Sequence, residues 1–167
     1  MDQSSQNKIP IQEFVENLNS DLITNGYLTP SIKEFIEGLQ ANQSLVSPQN
    51  PGQINSQILN FAKPEGNLLP NLFLLSQLLS YFSFSPEVVE EIGNNLLNYL
   101  EISYNQSLKE EERDINSRAQ AWNILFLIQS QFSQNLQERF HNLAMKVQEL
   151  QTENKYIRNQ IDERLSR

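Results

Sequence analysis

The side chains able to do chemistry are few. Cysteine is absent and His141 is the single histidine, so disulfides, thiolate nucleophiles, Cys-ligated zinc and multi-histidine metal centres are excluded. His141 falls at a polar position of a helical repeat, where a solvated side chain is expected rather than the base of a nucleophilic triad. Two carboxylate clusters, Glu87, Glu90 and Glu91 and then Glu110, Glu111, Glu112 and Asp114, have the atoms to hold a hard cation or move a proton. Neither spaces its oxygens as a calcium loop does. Solvated helix faces are expected, with docking onto a basic partner as their next use. Gly26, Gly38, Gly52, Gly66 and Gly93 never form a phosphate-cradling run. No catalytic residue, cofactor or metal ligand is therefore assigned, and a non-enzymatic protein is expected.

Twenty acids against twelve bases give a net charge of −8. The average surface repels phosphate backbones and anionic lipid head groups, and the bases are scattered among acids, so neither nucleic acid nor membrane is expected as a partner. The most apolar stretch, Leu68 to Phe84, is interrupted by Pro70, Asn71, Ser76, Gln77, Ser80 and Ser83, too many polar residues for a bilayer span. The first residues lack the basic-then-apolar order of a secretory signal. Cytoplasmic residence is the expectation.

The elements that must position any site read as helices, because apolar residues recur at i, i+3, i+4 and i+7 and nowhere alternate over strand length. Residues 1 to 8 read as a disordered N-terminus. Ile9, Phe14, Val15, Leu18 and Leu22 line a first helix between Pro10 and Asn25-Gly26. Thr29-Pro30 opens a second, through Ile32, Phe35, Ile36 and Leu39. The stretch Ala41 to Gly52, with two prolines and a glycine, reads as a flexible loop. Ile54, Ile58, Leu59 and Phe61 suggest a short third helix. Leu68 to Phe84 is apolar on nearly all sides and is expected to be the central core helix. Ser85-Pro86-Glu87 is a start signal for the next helix, whose buried face is Val88, Val89, Ile92, Leu96, Leu97 and Leu100. Gly93 within it costs about 1 kcal/mol relative to alanine, which predicts a close helix crossing there. After a charged connector, Lys109 to Arg118, the span Ile115 to Leu165 has neither proline nor glycine and permits one very long helix. Trp122, Leu125, Phe126, Leu127, Ile128 and Phe132 read as core, as do Phe73, Phe82 and Phe84.

Toward the C-terminus, Leu136, Phe140, Leu143, Val147, Leu150, Asn154, Ile157 and Ile161 are spaced alternately by four and three residues. This is the a/d rhythm of a left-handed coiled coil. Leucine occupies three of four d positions, and Asn154 at an a position suits a two-stranded seam. Glu153 and Arg158 fall at g and the following e, where they attract across a parallel pair. The same stripe would also serve inside a bundle of the chain's own helices, because the packing geometry is nearly identical.

The expected fold is all-α: a compact bundle of five to six helices over residues 9 to 135, with a flexible loop at 41 to 52, and a coiled-coil extension over 136 to 167. The expected role is protein–protein interaction as an adaptor, scaffold or assembly factor that forms a homodimer through the C-terminal stripe and binds a protein partner through the bundle. Glu87, Glu90, Glu91, Tyr99 and Tyr104 are the candidate partner surface. The alternative is a ligand-sensing regulator with an apolar pocket between the central helix and the Trp122–Phe132 segment.

Overall fold

Proline and glycine punctuate the first helix as their backbone chemistry requires. In the computed structural model, which describes residues 8–63, 68–105 and 115–165, and the side chains of these except 105 and 150–165, α1 spans Ile11–Asn25 directly after Pro10. It ends at Gly26, whose φ of 72° is left-handed. The Tyr27 amide then reaches back to the Leu22 carbonyl at 2.8 Å, which satisfies a helix-end acceptor that water would otherwise have to serve. α2 spans Pro30–Ala41 and is capped by Thr29, whose hydroxyl accepts from the Ile32 amide at 3.3 Å.

The Ala41 to Gly52 stretch takes a definite course. A 3₁₀ turn over Gln43–Leu45 is followed by a tight turn in which Ser47 and Asn50 exchange backbone hydrogen bonds at 2.9 and 3.0 Å. The Pro48 carbonyl accepts from the Ser83 amide at 2.7 Å, and Pro51 is buried. These bonds fasten the loop across the far end of the central helix. A one-turn helix α3, Ile54–Gln57, continues as a 3₁₀ turn over Ile58–Phe61, placing Ile54, Ile58 and Phe61 in the core.

The central helix is α4, Leu68–Tyr81, with Leu72, Leu74, Leu75 and Leu78 wholly buried. Its last turn is held by Lys8. The ammonium donates to the Ser80 and Tyr81 carbonyls, placing a cation where the helix dipole is negative. The Tyr81 hydroxyl donates to the Ile9 carbonyl, and its ring stacks on Phe14 at 4.0 Å. Lys8 thus belongs to the folded unit, while residues 1 to 7 lie outside the described residues.

α5 spans Pro86–Asn105. Ser85 caps it by accepting from the Val88 amide at 3.4 Å, and Asn55 holds Ser85 in place through its amide at 3.0 Å. Val88, Val89, Ile92, Leu96, Leu97 and Leu100 are buried, the face the periodicity predicts. α6, Ile115–Ile128, packs on α4 in the most extensive helix pair of the structure, burying Ala121, Ile124, Leu125 and Ile128. A Gln120 to Ser76 hydrogen bond at 3.2 Å pins the pair. Residues 109 to 114 of the charged connector lie outside the described residues.

The single long helix that Ile115 to Leu165 permits does not form. The chain instead makes a 3₁₀ turn at Gln129–Gln131, extends at Phe132 and restarts as α7, Gln134–Leu165. Absence of proline and glycine allows continuation without compelling it, and here Ser133 competes as a cap, its hydroxyl accepting from the Leu136 amide. The turn delivers Phe132 to α5. A methyl group at Gly93 would lie 2.5 Å from the Phe132 ring and 2.8 Å from Leu136, so the glycine makes room for this crossing. Phe126 and Leu127 do not join the core; they are 57% and 46% exposed. Seven α-helices and no strand are present among the described residues.

Candidate functional site

The C-terminal stripe is carried by α7, and its first half is spent within the chain. Leu136, Phe140 and Leu143 are buried, and Val147 is half-buried against the same core. The Phe140 ring sits edge-on to Phe126 at 5.3 Å and near Trp122 at 5.8 Å. The helix backbone continues through Leu150, Asn154, Ile157 and Ile161 to Leu165, while the side chains of those four lie outside the described residues. Burial along the stripe thus gives way from Leu143 to Val147, and Met145, Lys146, Gln148 and Glu149 around it are exposed.

α7 is clamped to α5 by a polar ridge that the sequence presents at Glu90, Asn94, Asn98 and Glu101. Glu90 takes the Ser133 amide at 3.0 Å and the Ser133 hydroxyl as well. Arg139 spreads its guanidinium over the other three. It donates to Asn94 at 2.6 Å, to Asn98 at 2.8 Å, and through two nitrogens to Glu101 at 3.1 and 3.2 Å. A planar fork of donors matches such a row of oxygens, which a lysine point charge does not. Sequence reasoning assigned Arg139 nothing. The spacing by four, four and three on α5 was the available signal, since those positions share a helix face.

The candidate partner surface divides. Glu87 and Glu91 are exposed on the first turns of α5. Glu90 is engaged with Ser133, and Tyr99 is half-buried against the core. The Tyr104 hydroxyl accepts from the Trp122 indole at 3.0 Å, and its ring lies under the Arg118 guanidinium at 5.1 Å. The structure therefore does not bring the five together as one free face. Glu110, Glu111, Glu112 and Asp114 lie outside the described residues. His141 is exposed, and among the described residues no three His, Asp or Glu side chains are grouped to hold a metal ion.

Beside Tyr104 and Trp122, the exposed Phe126 extends the aromatic cluster to the surface at the root of α7. Where α4 meets α6, in the region of the pocket expected there, Leu75, Leu78, Ala121, Ile124 and Leu125 are all completely buried. An open apolar groove lies elsewhere, on α2. No helix of the described residues is long and apolar enough to cross a membrane. No protein-family model, curated protein or solved structure matches the chain.

Proposed function

We propose that the protein is a non-enzymatic protein–protein interaction module, an adaptor, scaffold or assembly factor, that forms a homodimer through the distal part of α7. The observation that carries this reading is the stripe on a helix of 32 residues. Its proximal members are buried in the bundle as far as Leu143, Val147 is half covered, and the a/d rhythm runs on through Leu150, Asn154, Ile157 and Ile161 over about 27 Å of further helix. A stripe that long gains from a second helix laid along it, and Asn154 at an a position favours two strands in register. Two bundles joined in this way engage a partner bivalently, which raises the effective concentration of the second contact without new chemistry.

Light scattering on the intact chain tests the reading, the expected mass being twice 19.4 kDa. Leu150→Asp with Ile157→Asp is expected to halve that mass and leave the bundle's thermal transition in place. Leu143 is unsuitable for this purpose because a carboxylate there would be buried in the bundle itself. A wild-type mass of one subunit, or a dimer indifferent to both substitutions, overturns the proposal.

A further inference from the structure

A groove of about 700 Å³ runs between α2 and the segment from Asn42 to Phe61. Its apolar lining includes Phe35, Leu39, Leu45, Val46 and Phe61, of which Leu45 is 66% exposed and Phe35 half-buried. Phe35 and Phe61 meet edge to face at 5.3 Å, which fixes the floor. The rim is polar and uncharged apart from Glu34, with Gln53, Gln57 and Asn60 available to hydrogen-bond. This is the anatomy of a binding groove, an apolar floor with a polar margin.

Gly38 decides what fits. It lies within α2 on the groove wall, where glycine weakens a helix relative to alanine. A methyl group there would meet no atom within 4 Å, whereas at Gly93 the equivalent space is taken by Phe132 and Leu136. The Gly38 carbonyl is already satisfied by the Asn42 backbone and side chain at 3.1 and 2.9 Å. What Gly38 contributes is therefore open room on the groove wall for an incoming segment, as the missing side chain at Gly93 admits the Phe132 ring and Leu136.

We propose that the groove receives an amphipathic helix from a different protein, its apolar face on Phe35, Leu45 and Val46, its backbone closest at Gly38, and its Lys or Arg residues beside Glu34 and Glu37. Charge selects this occupant. The lining holds a carboxylate and no base, and among the described residues neither Glu34 nor Glu37 is ion-paired. A second copy is a poorer match, because the bases of this chain are scattered among acids and do not gather on one flank. Within the chain, the segments 1–7, 64–67 and 106–114 contain only Met1 and Leu108 as large apolar residues, too few to make a helix face. Helix-in-groove recognition needs such a face at i, i+3, i+4 and i+7. The proposal rests on the interaction-module reading but uses a surface separate from the α7 seam.

The test is selection of a phage-displayed library of peptides about four helical turns long on the intact chain, with binding then measured by fluorescence anisotropy on the selected peptides. Enriched peptides are expected to carry apolar residues at i, i+3, i+4 and i+7 with Lys or Arg on the flanks. They should shift the amide resonances of Gly38, Val46 and Gly52. Gly38→Leu, which occupies open space, should weaken binding at least tenfold while dimer mass and circular dichroism stay unchanged. Glu34→Lys, at an exposed site, should weaken it severalfold and reverse the preference for basic flanks. No enrichment, acidic or extended winners, resonance shifts confined to α7, or affinity unaffected by both substitutions would overturn the groove proposal. Because the α7 substitutions alter mass and the α2 substitutions alter peptide affinity, failure of one reading is distinguishable from failure of the other.

Discussion

The Glu90 carboxylate on α5 accepts from both the backbone amide and the hydroxyl of Ser133, the residue that caps α7. One acid thereby fixes the point at which the chain stops following α6 and turns back onto α5. It also places a negative charge at the start of α7, where the helix dipole favours it.

Removal of either partner should destabilise the α7 junction. Ser133→Ala is expected to cost about 1 kcal/mol, the usual loss of a helix cap, and Glu90→Ala a similar amount. Because both act on one contact, the double variant should fall short of the sum by about 0.5 kcal/mol or more. Urea denaturation of the four proteins of the cycle reads this, and strict additivity would show that the contact contributes nothing.

Two glycines in helices should respond oppositely to alanine. At Gly38 the added methyl group meets open space, so Gly38→Ala should stabilise by roughly 0.5 to 1 kcal/mol through helix propensity. At Gly93 it would collide with the buried ring of Phe132 and with Leu136, and overpacking of about 1 to 3 kcal/mol should outweigh the propensity gain. Thermal denaturation followed by circular dichroism separates the two; equal shifts in the same direction would contradict the close crossing at Gly93.

Alkaline stability should carry the signature of Tyr81. Burial pushes its hydroxyl above the usual tyrosine value near 10. Below that value the phenol is neutral in both states and its contribution is intact. As pH rises further the unfolded chain ionises first, binds fewer protons than the native state, and stability falls. Tyr81→Phe should make the alkaline decline shallower, and it should lower neutral-pH stability by about 1 kcal/mol through loss of the hydrogen bond to the Ile9 carbonyl. An unchanged alkaline slope in denaturation midpoints measured above about pH 10 would count against it.

Arg139→Met should loosen α7 from α5 without disturbing the buried faces of either helix. Faster amide hydrogen exchange in the first turns of α7, with the α4 and α6 amides unaffected, is the expected result. Arg139→Lys should rescue little, because a single ammonium cannot span Asn94, Asn98 and Glu101 at once. Full rescue by lysine would reduce the fork to a simple charge effect.

Helical periodicity and punctuation were legible residue by residue. The caps at Thr29 and Ser85, the glycine stop at Gly26 and the buried face of α5 all follow from local rules about amides, hydroxyls and spacing. The close approach at Gly93 was also legible, since a helix glycine must have a reason, although nothing in the sequence said that Phe132 would fill it. The break at Gln129–Ser133 was not legible: no proline or glycine marks it, and its cap is held by Glu90, distant in the chain. For the same reason Arg139 looked like one more surface base, and Phe126 looked like core.

The sequence by itself determined an all-helical chain, most of the helix limits and which residues want cover, because those depend on interactions within one or two turns. Only the tertiary structure decided which cover each residue receives. Leu136, Phe140 and Leu143 share one stripe with Leu150 and Ile157, yet the turn at Ser133 lays the first three against α5 and α6, and the chain's own bundle covers them. A period of three and four residues specifies an apolar face; the partner that face meets depends on where the rest of the chain has gone.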